Sequence, residues 1–328
     1  MLYLITGAAG HLGSVVSKKL LERGDSVRAL ALPGEKNIPR GAEVVFGNVC
    51  DKERLKPFFA GTDSNDTVVI HCAGIVSIAS KFDERLREVN VGGTKNIADL
   101  CLEEGVKRMV YVSTVHAIPE RNKGETMCEI SHFNPEEVIG SYAKTKSEAS
   151  SYVLEAVGKG LDAVIVHPSG IVGPNDYGRG HLTTLVEDYC NGRLGAGLDG
   201  GYDFVDVRDV ADGIISAAEK GRRGECYILS NEYFYIREIF EILHEVTGKR
   251  KIKTYLPIGF IRFMAPVAEL YYKILGQPPL FTPYSIYTLT SNAIFSHDKA
   301  SKELGYSTRD MRETIADTVA WLAEQGRV

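Results

Sequence analysis

The stretch Thr6-Gly7-Ala8-Ala9-Gly10-His11-Leu12-Gly13 decides the fold, because it connects a short apolar run to an amphipathic segment. Its glycines follow the spacing G-x-x-G-x-x-G, between a predicted strand and a predicted helix. Glycine lets the backbone turn tightly and approach a pyrophosphate, and a helix N-terminus offers free N–H groups and a positive dipole end. A plain glycine-rich turn is the alternative, since the chain has 33 glycines. The context favours a dinucleotide site held by Gly7, Gly10, His11, Leu12 and Gly13.

Outward from this motif, apolar runs alternate with amphipathic stretches through the first half of the chain. Runs rich in valine and isoleucine predict strands at residues 2–6, 26–32, 43–46, 67–71, 108–113 and 162–166. Helical patterns lie between them, at about residues 12–23, 84–104 and 142–157. Near-continuously apolar strands separated by helices are typical of a parallel sheet covered on both faces. Right-handed connections then lead to a doubly wound α/β fold of the Rossmann type.

The second half of the chain has a different pattern. Residues 169–201 are rich in glycine and loop formers, a strand and a helix resume at 204–218, and another strand is predicted at 226–229. Further helices are expected at about 258–275 and 311–324. We therefore predict a dinucleotide-binding domain at residues 1–166, to which the chain returns at about 204–231. Residues 167–328 then form mostly a smaller, mixed α/β substrate lobe.

The composition is that of an ordinary globular protein and excludes several classes of function. Hydrophobic residues make up 44% and charged residues 25%, and the formal net charge is −5. A mildly acidic chain lacks the basic surface that binds a phosphate backbone, so we expect no nucleic-acid partner. No stretch reaches the roughly 18 apolar residues of a membrane span, and no secretory leader opens the sequence. The 6 cysteines lie far apart, which predicts reduced thiols, no metal site and a cytoplasmic location.

Tyr142 and Lys146 form a Y-x-x-x-K motif at the start of a predicted helix, so both side chains lie on one helix face. The motif follows Ser113-Thr114, which ends a predicted strand at the sheet edge where ligands bind. A lysine beside a phenol stabilises the phenolate, so we expect Lys146 to lower the pKa of Tyr142 and make it a general acid/base. A surface tyrosine with a solvated lysine is the alternative, because such a motif arises by chance among 16 tyrosines.

Together these motifs resemble the extended short-chain dehydrogenase/reductase superfamily, also called the NAD-dependent epimerase/dehydratases. Further stretches match that pattern in order along nearly the whole chain: His71-Cys72-Ala73-Gly74, Asn90-Val91-Gly92-Gly93-Thr94-Lys95-Asn96, Pro168 with Gly173-Pro174, and Phe204-Val205-Asp206-Val207-Arg208-Asp209-Val210-Ala211.

The resemblance implies a role for each matching residue. Thr114 rather than Ser113 hydrogen-bonds the reacting oxygen, Tyr142 exchanges a proton, and Lys146 holds the nicotinamide ribose and tunes the tyrosine. Asn90 assists a proton relay, as its counterpart does in related reductases. Cofactor contacts are further expected from the remaining matching positions: Asn48, Val49, Ala73, Gly74, Asn90 and Pro168.

Three departures from the family pattern bear on the cofactor and the site. The second strand ends in Leu32, where an acidic residue would bind the ribose diol of NAD and an arginine would favour NADP. Lys36 and Arg40 follow on the next loop, which favours NADP weakly over NAD. Asn48 stands where an aspartate is common, and an asparagine can still hydrogen-bond the adenine edge. His167 stands where an arginine is common, and we interpret it as structural.

The substrate prediction rests on the C-terminal lobe. Aromatic and aliphatic side chains dominate residues 259–266, 269–275 and 279–284, whereas a nucleotide sugar would ask for arginines and polar groups. With residues 295–300 and 304–306, these segments resemble the 3β-hydroxysteroid dehydrogenase and dihydroflavonol 4-reductase branch. The resemblance implies an NAD(P)-dependent oxidoreductase that interconverts a hydroxyl and a ketone on a bulky hydrophobic substrate.

Several alternatives to this reading stay open. One is a nucleotide-sugar 4-epimerase or dehydratase with tightly held NAD, and another is a non-catalytic NAD(P)-binding regulatory protein. The apolar segments of the lobe could also merely pack its core, and the helix at 258–275 could touch a membrane surface. A homodimer is a further expectation.

Overall fold

A seven-stranded parallel sheet forms the centre of the computed structural model, which describes residues 1–77, 83–260 and 283–328. Its strands are β1 (Leu2–Thr6), β2 (Ser26–Ala31), β3 (Glu43–Phe46), β4 (Thr67–His71), β5 (Arg108–Val112), β6 (Ala163–Pro168) and β10 (Cys226–Leu229). Their order across the sheet is β10-β6-β5-β4-β1-β2-β3. The order reverses between β1 and β4, and in such sheets ligands bind in the crevice at the carboxyl ends of the strands at that point. The doubly wound Rossmann fold is thereby confirmed.

The helices around this sheet are α1 (His11–Glu22), α2 (Glu84–Arg87), α3 (Thr94–Glu103), α4 (Ser141–Gly158) and α6 (Val207–Lys220). The single helix predicted at 84–104 is interrupted, because Glu88–Gly93 forms a π-helical turn between α2 and α3. This turn contains Gly92 and Gly93, and glycine weakens a regular helix. A Cβ on Gly93 would lie 2.6 Å from a methyl carbon of Val49, so the close approach requires glycine. Such turns occur frequently at functional sites.

The sheet is buried on both faces, as its near-continuous apolar strands predict. Successive side chains of a strand point to opposite faces, so Leu4 packs in one hydrophobic cluster while Tyr3 and Ile5 pack in the other. Helices α3 and α4 cover the face of Leu4, and α1 and α6 lie against each other on the opposite face. The carboxyl ends of the strands are thereby left as the edge where loops can build a site.

The remaining elements are short and mixed. Strand β9 (Gly201–Asp206) pairs in parallel with β7 (Gly170–Val172) and antiparallel with β11 (Glu232–Tyr235), and β8 (Gly197–Leu198) pairs with β12 (Tyr255–Leu256). The helices of this part are α5 (His181–Cys190), α7 (Ile236–Thr247), α8 (Pro283–Thr288), α9 (Asp298–Leu304) and α10 (Met311–Glu324). This is the smaller mixed α/β part expected from the sequence. We keep the boundary after residue 166, with the return at 204–231, as a proposal.

Part of the C-terminal prediction lies outside the described residues. The helix expected at 258–275 is described only at residues 258–260, which are helical, and the apolar segments at 261–282 fall in the undescribed range. Within residues 1–77, 83–260 and 283–328, no helix has the length and apolar character needed to cross a bilayer.

Candidate active site

The glycine-rich turn leaves no room for side chains at its closest points. Gly7 has a φ of +68°, and a Cβ there would lie 2.8 Å from the backbone nitrogen of Ala73. A Cβ on Gly13 would overlap the carbonyl oxygen of Gly7. Gly10 precedes α1 without a capping side chain, and the first turn of α1 carries no acidic residue. The exposed N–H groups of this helix end therefore suit a pyrophosphate, so the residues fit a dinucleotide cofactor.

The loop after β4 lies against Asn90 and Lys146, two of the predicted cofactor-binding positions. A Cβ on Gly74 would lie 3.2 Å from Oδ1 of Asn90 and 3.7 Å from Nζ of Lys146. Asn90 is buried; its Oδ1 accepts from the Ile75 nitrogen at 2.8 Å, and its Nδ2 donates to the Ile75 carbonyl at 3.0 Å. Nδ2 also donates to the hydroxyl of Thr145 at 3.2 Å. These contacts hold the loop against α4, and the proton relay through Asn90 stays a prediction.

The buried imidazole of His71, at the end of β4, connects β1 through Thr6 with α3 through Thr94. Thr94 donates its hydroxyl hydrogen to the Asn90 carbonyl at 2.7 Å, so its oxygen accepts from Nε2 of His71, 3.0 Å away. Nδ1 of His71 is then the acceptor for the Thr6 hydroxyl at 2.7 Å, and the same Thr6 oxygen accepts from the Ala73 nitrogen at 3.1 Å. Burial lowers the pKa of His71 to about 3, and the nearby positive charge of a lysine acts in the same direction. The imidazole is therefore neutral and serves as a fixed bridge.

Thr114, Tyr142 and Lys146 come together at the carboxyl edge of the sheet. Thr114 follows β5 and has an extended backbone, and Tyr142 lies in the first turn of α4. A hydrogen bond between the two side chains lowers the pKa of Tyr142. Lys146 lies one turn further along α4; its Nζ donates to the Val112 carbonyl at 2.7 Å and lies 4.7 Å from the centre of the Tyr111 ring. All three predicted catalytic residues are buried. The structure thus brings together the residues that the motifs single out.

The lowered pKa predicted for Tyr142 is wrong in direction, and the cause is burial rather than Lys146. Burial raises the pKa of Tyr142 to about 12, and the hydrogen bond with Thr114 lowers it only in part. Burial also lowers the pKa of Lys146 to about 7, because its ammonium group lies among apolar atoms. The lysine points toward the Val112 carbonyl, so its charge is not directed at the phenol. At neutral pH the site therefore presents a protonated phenol, the form that donates a proton to a carbonyl oxygen.

Two residues beside this trio have supporting positions. The Ser150 hydroxyl donates to the Lys146 carbonyl, so its oxygen accepts from the Ser113 hydroxyl at 2.8 Å. Ser113 therefore faces α4, which agrees with the choice of Thr114 as the residue that binds the reacting oxygen. His167 donates from Nδ1 to the Thr114 carbonyl at 2.9 Å and stacks on Phe133. Burial lowers the pKa of His167 to about 4, so this imidazole too is neutral. These contacts agree with the structural role that the sequence analysis gives to His167.

The structure adds His116 and Tyr202, which the sequence analysis missed. The imidazole of His116 lies edge-on to Tyr142 with ring centres 6.3 Å apart, and it stacks on Tyr202 at 5.5 Å. Its Nε2 shares a hydrogen bond of 3.0 Å with the Tyr202 hydroxyl. Tyr202 comes from β9 of the smaller part and also meets Phe295, at 6.4 Å. His116 follows Thr114 by two residues, which was a usable signal, whereas no local pattern points to Tyr202.

A comparison with known proteins identifies the family. Residues 3–230 match the family model described as the NAD dependent epimerase/dehydratase family. The chain belongs to this family. It is therefore an NAD(P)-dependent enzyme of the extended short-chain dehydrogenase/reductase type, and the nicotinamide dinucleotide is its cofactor.

Relatives within the family are similar over their whole length. Sterol demethylase protein B of Methylococcus capsulatus is 31% identical, with 100% of each chain covered. A putative dihydroflavonol 4-reductase of Synechocystis is 30% identical over 99% of this chain and 96% of that protein. The crystal structure of gox2253 superimposes with a TM-score of 0.86 at 32% identity, covering 100% of this chain and 99% of the other.

The structure also shows the surroundings of the remaining positions predicted from the family pattern. His11 directs Nε2 at the Pro174 carbonyl, 3.0 Å away, while Leu12 packs against the hydrophobic cluster on the α1 face. Asn48 accepts from the Cys50 nitrogen at 3.0 Å, and Val49 is buried against the π-helical turn. Pro168 ends β6 beside Leu229 of β10. We propose that they contact the cofactor as the sequence predicts, His11 and Leu12 through their backbone N–H groups.

Proposed function

We propose that this family member interconverts a hydroxyl and a ketone on a bulky hydrophobic molecule, of the size of a sterol, bile acid or flavonoid. The observation that carries the proposal is a cluster of aromatic rings beside the acid/base group. His116, Tyr202 and Phe295 are linked to Tyr142 by successive ring contacts, with ring centres between 5.5 and 6.4 Å apart.

The described rings of this aromatic cluster carry no charge at neutral pH. Burial lowers the pKa of His116 to about 4, so its ring is neutral, and its Nε2 and the Tyr202 hydroxyl already satisfy each other. A nucleotide sugar carries a diphosphate, which cationic side chains normally bind through charge-assisted hydrogen bonds. Aromatic side chains of this kind instead favour an apolar molecule with one polar group directed at Tyr142.

In the proposed reaction each residue has a defined task. Tyr142 donates its phenolic proton to the substrate oxygen during reduction, or receives a proton there during oxidation. Thr114 holds the same oxygen with its hydroxyl, and its own backbone is held by His167. Lys146 binds the nicotinamide ribose, and the Gly7–Gly13 turn binds the pyrophosphate. The nicotinamide, when bound, supplies or accepts the hydride.

The relatives support this class of substrate. One bears the name of a sterol demethylase component and another that of a dihydroflavonol reductase, and both names refer to fused-ring, largely apolar compounds. For NAD against NADP, Lys36 and Arg40 weakly favour NADP in the sequence. The homodimer and the cytoplasmic location stay predictions.

The test compares substrates and one isosteric variant. We expect the purified protein to turn over at least one steroid or flavonoid alcohol or ketone with a nicotinamide cofactor, followed by the absorbance of the reduced form. Tyr142→Phe removes only the hydroxyl and should lower kcat by about 10²–10⁴-fold, because that is the usual contribution of a positioned acid/base. Its cofactor dissociation constant should stay within about twofold of the original, since the ring and Lys146 remain.

Tyr152→Phe is the matched control, because Tyr152 lies on the same helix but binds Asp99, at 2.7 Å, away from the site. It should leave kcat unchanged. Turnover of UDP- or dTDP-sugars with none of any steroid or flavonoid would replace the proposal by the epimerase or dehydratase alternative. A Tyr142→Phe variant within a few-fold of the original kcat would contradict the acid/base role.

A further inference from the structure

The loop after β2 begins with a tight turn that its own sequence specifies. Leu32-Pro33-Gly34-Glu35 closes with a hydrogen bond from the Glu35 nitrogen to the Leu32 carbonyl at 3.1 Å. Gly34 has a φ of +94°. Proline at the second position and a residue with positive φ at the third are the requirements of a type II turn, which only glycine meets without strain. The turn therefore reverses the chain directly after the strand.

This reversal brings an acidic side chain back to the end of β2. Oε2 of Glu35 accepts a hydrogen bond from the Leu32 nitrogen at 2.8 Å. Glu35 is therefore held to Leu32 both by its backbone nitrogen and by its carboxylate. Oε1 has no partner among the described residues. Leu32 is the position at which the sequence lacks an acidic residue for the ribose diol, and Glu35 places a carboxylate at that point from three residues further along.

We infer that Glu35 binds the adenosine ribose hydroxyls and selects NAD over NADP. A carboxylate accepts two hydroxyl hydrogens through its free lone pairs, which is how acidic residues at the end of the second strand recognise NAD. The 2′-phosphate of NADP carries negative charge to the same point, and the like charges repel each other. The inference concerns the cofactor and rests on membership of the family, independently of the substrate proposed above.

The cationic residues of the loop are less well placed than Glu35. Lys36 and Arg40 are exposed, and neither forms an ion pair or hydrogen bond with the described residues, whereas Glu35 has two fixed contacts with Leu32. An ordered acceptor loses less conformational entropy on binding than a free lysine or arginine side chain. The position of Glu35 therefore outweighs the weak preference for NADP that Lys36 and Arg40 suggest in the sequence.

The experiment measures cofactor binding without any substrate. Dissociation constants for NADH and NADPH, from the fluorescence of the reduced nicotinamide, should differ by tenfold or more in favour of NADH, or about 1.4 kcal/mol. Glu35→Gln should weaken NADH several-fold and tighten NADPH, so that the two constants come within about threefold of each other. Glu22→Gln is the control: Glu22 is an exposed acid on α1 whose ion pair is with Lys18, and the ratio should not change.

A second variant tests the turn. Gly34→Ala adds a Cβ that meets nothing within 4 Å, so its effect arises from the positive φ alone. It should release Glu35 and shift the ratio in the same direction as Glu35→Gln. Tighter binding of NADPH than NADH by the original protein, or an unchanged ratio in Glu35→Gln, would overturn the inference. Neither result bears on the proposed substrate, which is tested by turnover.

Discussion

Thr94→Val removes one hydroxyl from the hydrogen-bonded chain that supports the cofactor side of the site. The Thr94 oxygen accepts from Nε2 of His71 and its hydrogen goes to the Asn90 carbonyl, at 3.0 and 2.7 Å. His71 and Thr94 are both 0% exposed, so water cannot replace the lost partner. If the imidazole changes tautomer, the orphaned donor becomes the Thr6 hydroxyl instead. Either way one buried donor is left without an acceptor.

The loss of stability in Thr94→Val follows from this one buried donor without an acceptor. A buried polar group without its partner costs about 1–3 kcal/mol, and valine fills nearly the same space as threonine. Thr94→Ser is the matched control, because it keeps the hydroxyl and loses one methyl group, at about 1 kcal/mol. We therefore expect the free energy of unfolding to fall by about 2 kcal/mol in Thr94→Val and by about half as much in Thr94→Ser. Thr94→Val should also weaken cofactor binding, because the Ala73 nitrogen rests on the same chain.

Urea unfolding followed by circular dichroism measures these differences at a common m value. The decisive arm uses the His71→Phe background, in which the donor is already absent. There Thr94→Val should cost less than half of what it costs in the original protein, because the two residues act as one unit. Equal costs in the two backgrounds would show that the hydroxyl matters through packing or through Asn90 alone. A serine variant less stable than the valine variant would refute the reasoning altogether.

Two further predictions concern charge. Lys146→Met should lower kcat by about 10²-fold and raise the cofactor dissociation constant about tenfold, and an unchanged constant in a binding titration would remove the ribose contact. The neutral imidazoles of His71, His116 and His167, with pKa values lowered to about 3, 4 and 4 by burial, take up protons on unfolding, so stability is lost as the pH falls below 6.5. Asp203, whose pKa burial raises to about 7, opposes one of the three, whereas His11 and His181, whose pKa values burial also lowers, act in the same direction as the three. We expect stability to fall by about 3 kcal/mol or more per pH unit below pH 6.5, down to about pH 4. Urea unfolding at pH 7, 6 and 5 checks this, and equal stability at pH 5 and 7 would contradict it.

The main sheet follows from the sequence because its strands are near-continuously apolar. All seven of its strands were predicted with boundaries within about two residues, since burial on both faces leaves little ambiguity in such runs. The helix at 84–104 was predicted without its π-helical turn. That turn depends on a contact between Gly93 and Val49, which are 44 residues apart in the chain. Hydrophobic periodicity reports on residues that are neighbours in the sequence, so it does not reveal such a contact.

The site residues likewise divide into those that the sequence predicts and those that it does not. Thr114, Tyr142 and Lys146 are found through motifs on one strand and one helix, because the topology brings those two elements to one edge. Tyr202 reaches His116 from 86 residues away, and its position is set by β9 of the smaller part. Glu35 had a readable signal in Pro33-Gly34, since that dipeptide specifies a chain reversal. The weak preference for NADP was drawn from Leu32, Lys36 and Arg40, without the acidic residue that this turn returns to the strand end.

Two neutral histidines explain how the site can be rigid without gaining charge. His71 is the last residue of β4, and His167 is the second-last residue of β6. Each holds a backbone segment of the site: His71 holds Ala73 through the Thr6 hydroxyl, and His167 holds the Thr114 carbonyl directly. An arginine at position 71 could not accept from the Thr6 hydroxyl, because a guanidinium group only donates. At position 167 it could donate to the Thr114 carbonyl, but it would add a permanent positive charge beside Lys146. Repulsion between the two cations would lower the affinity of Lys146 for its proton further. An imidazole kept neutral by burial provides these hydrogen bonds without placing a second positive charge beside Lys146.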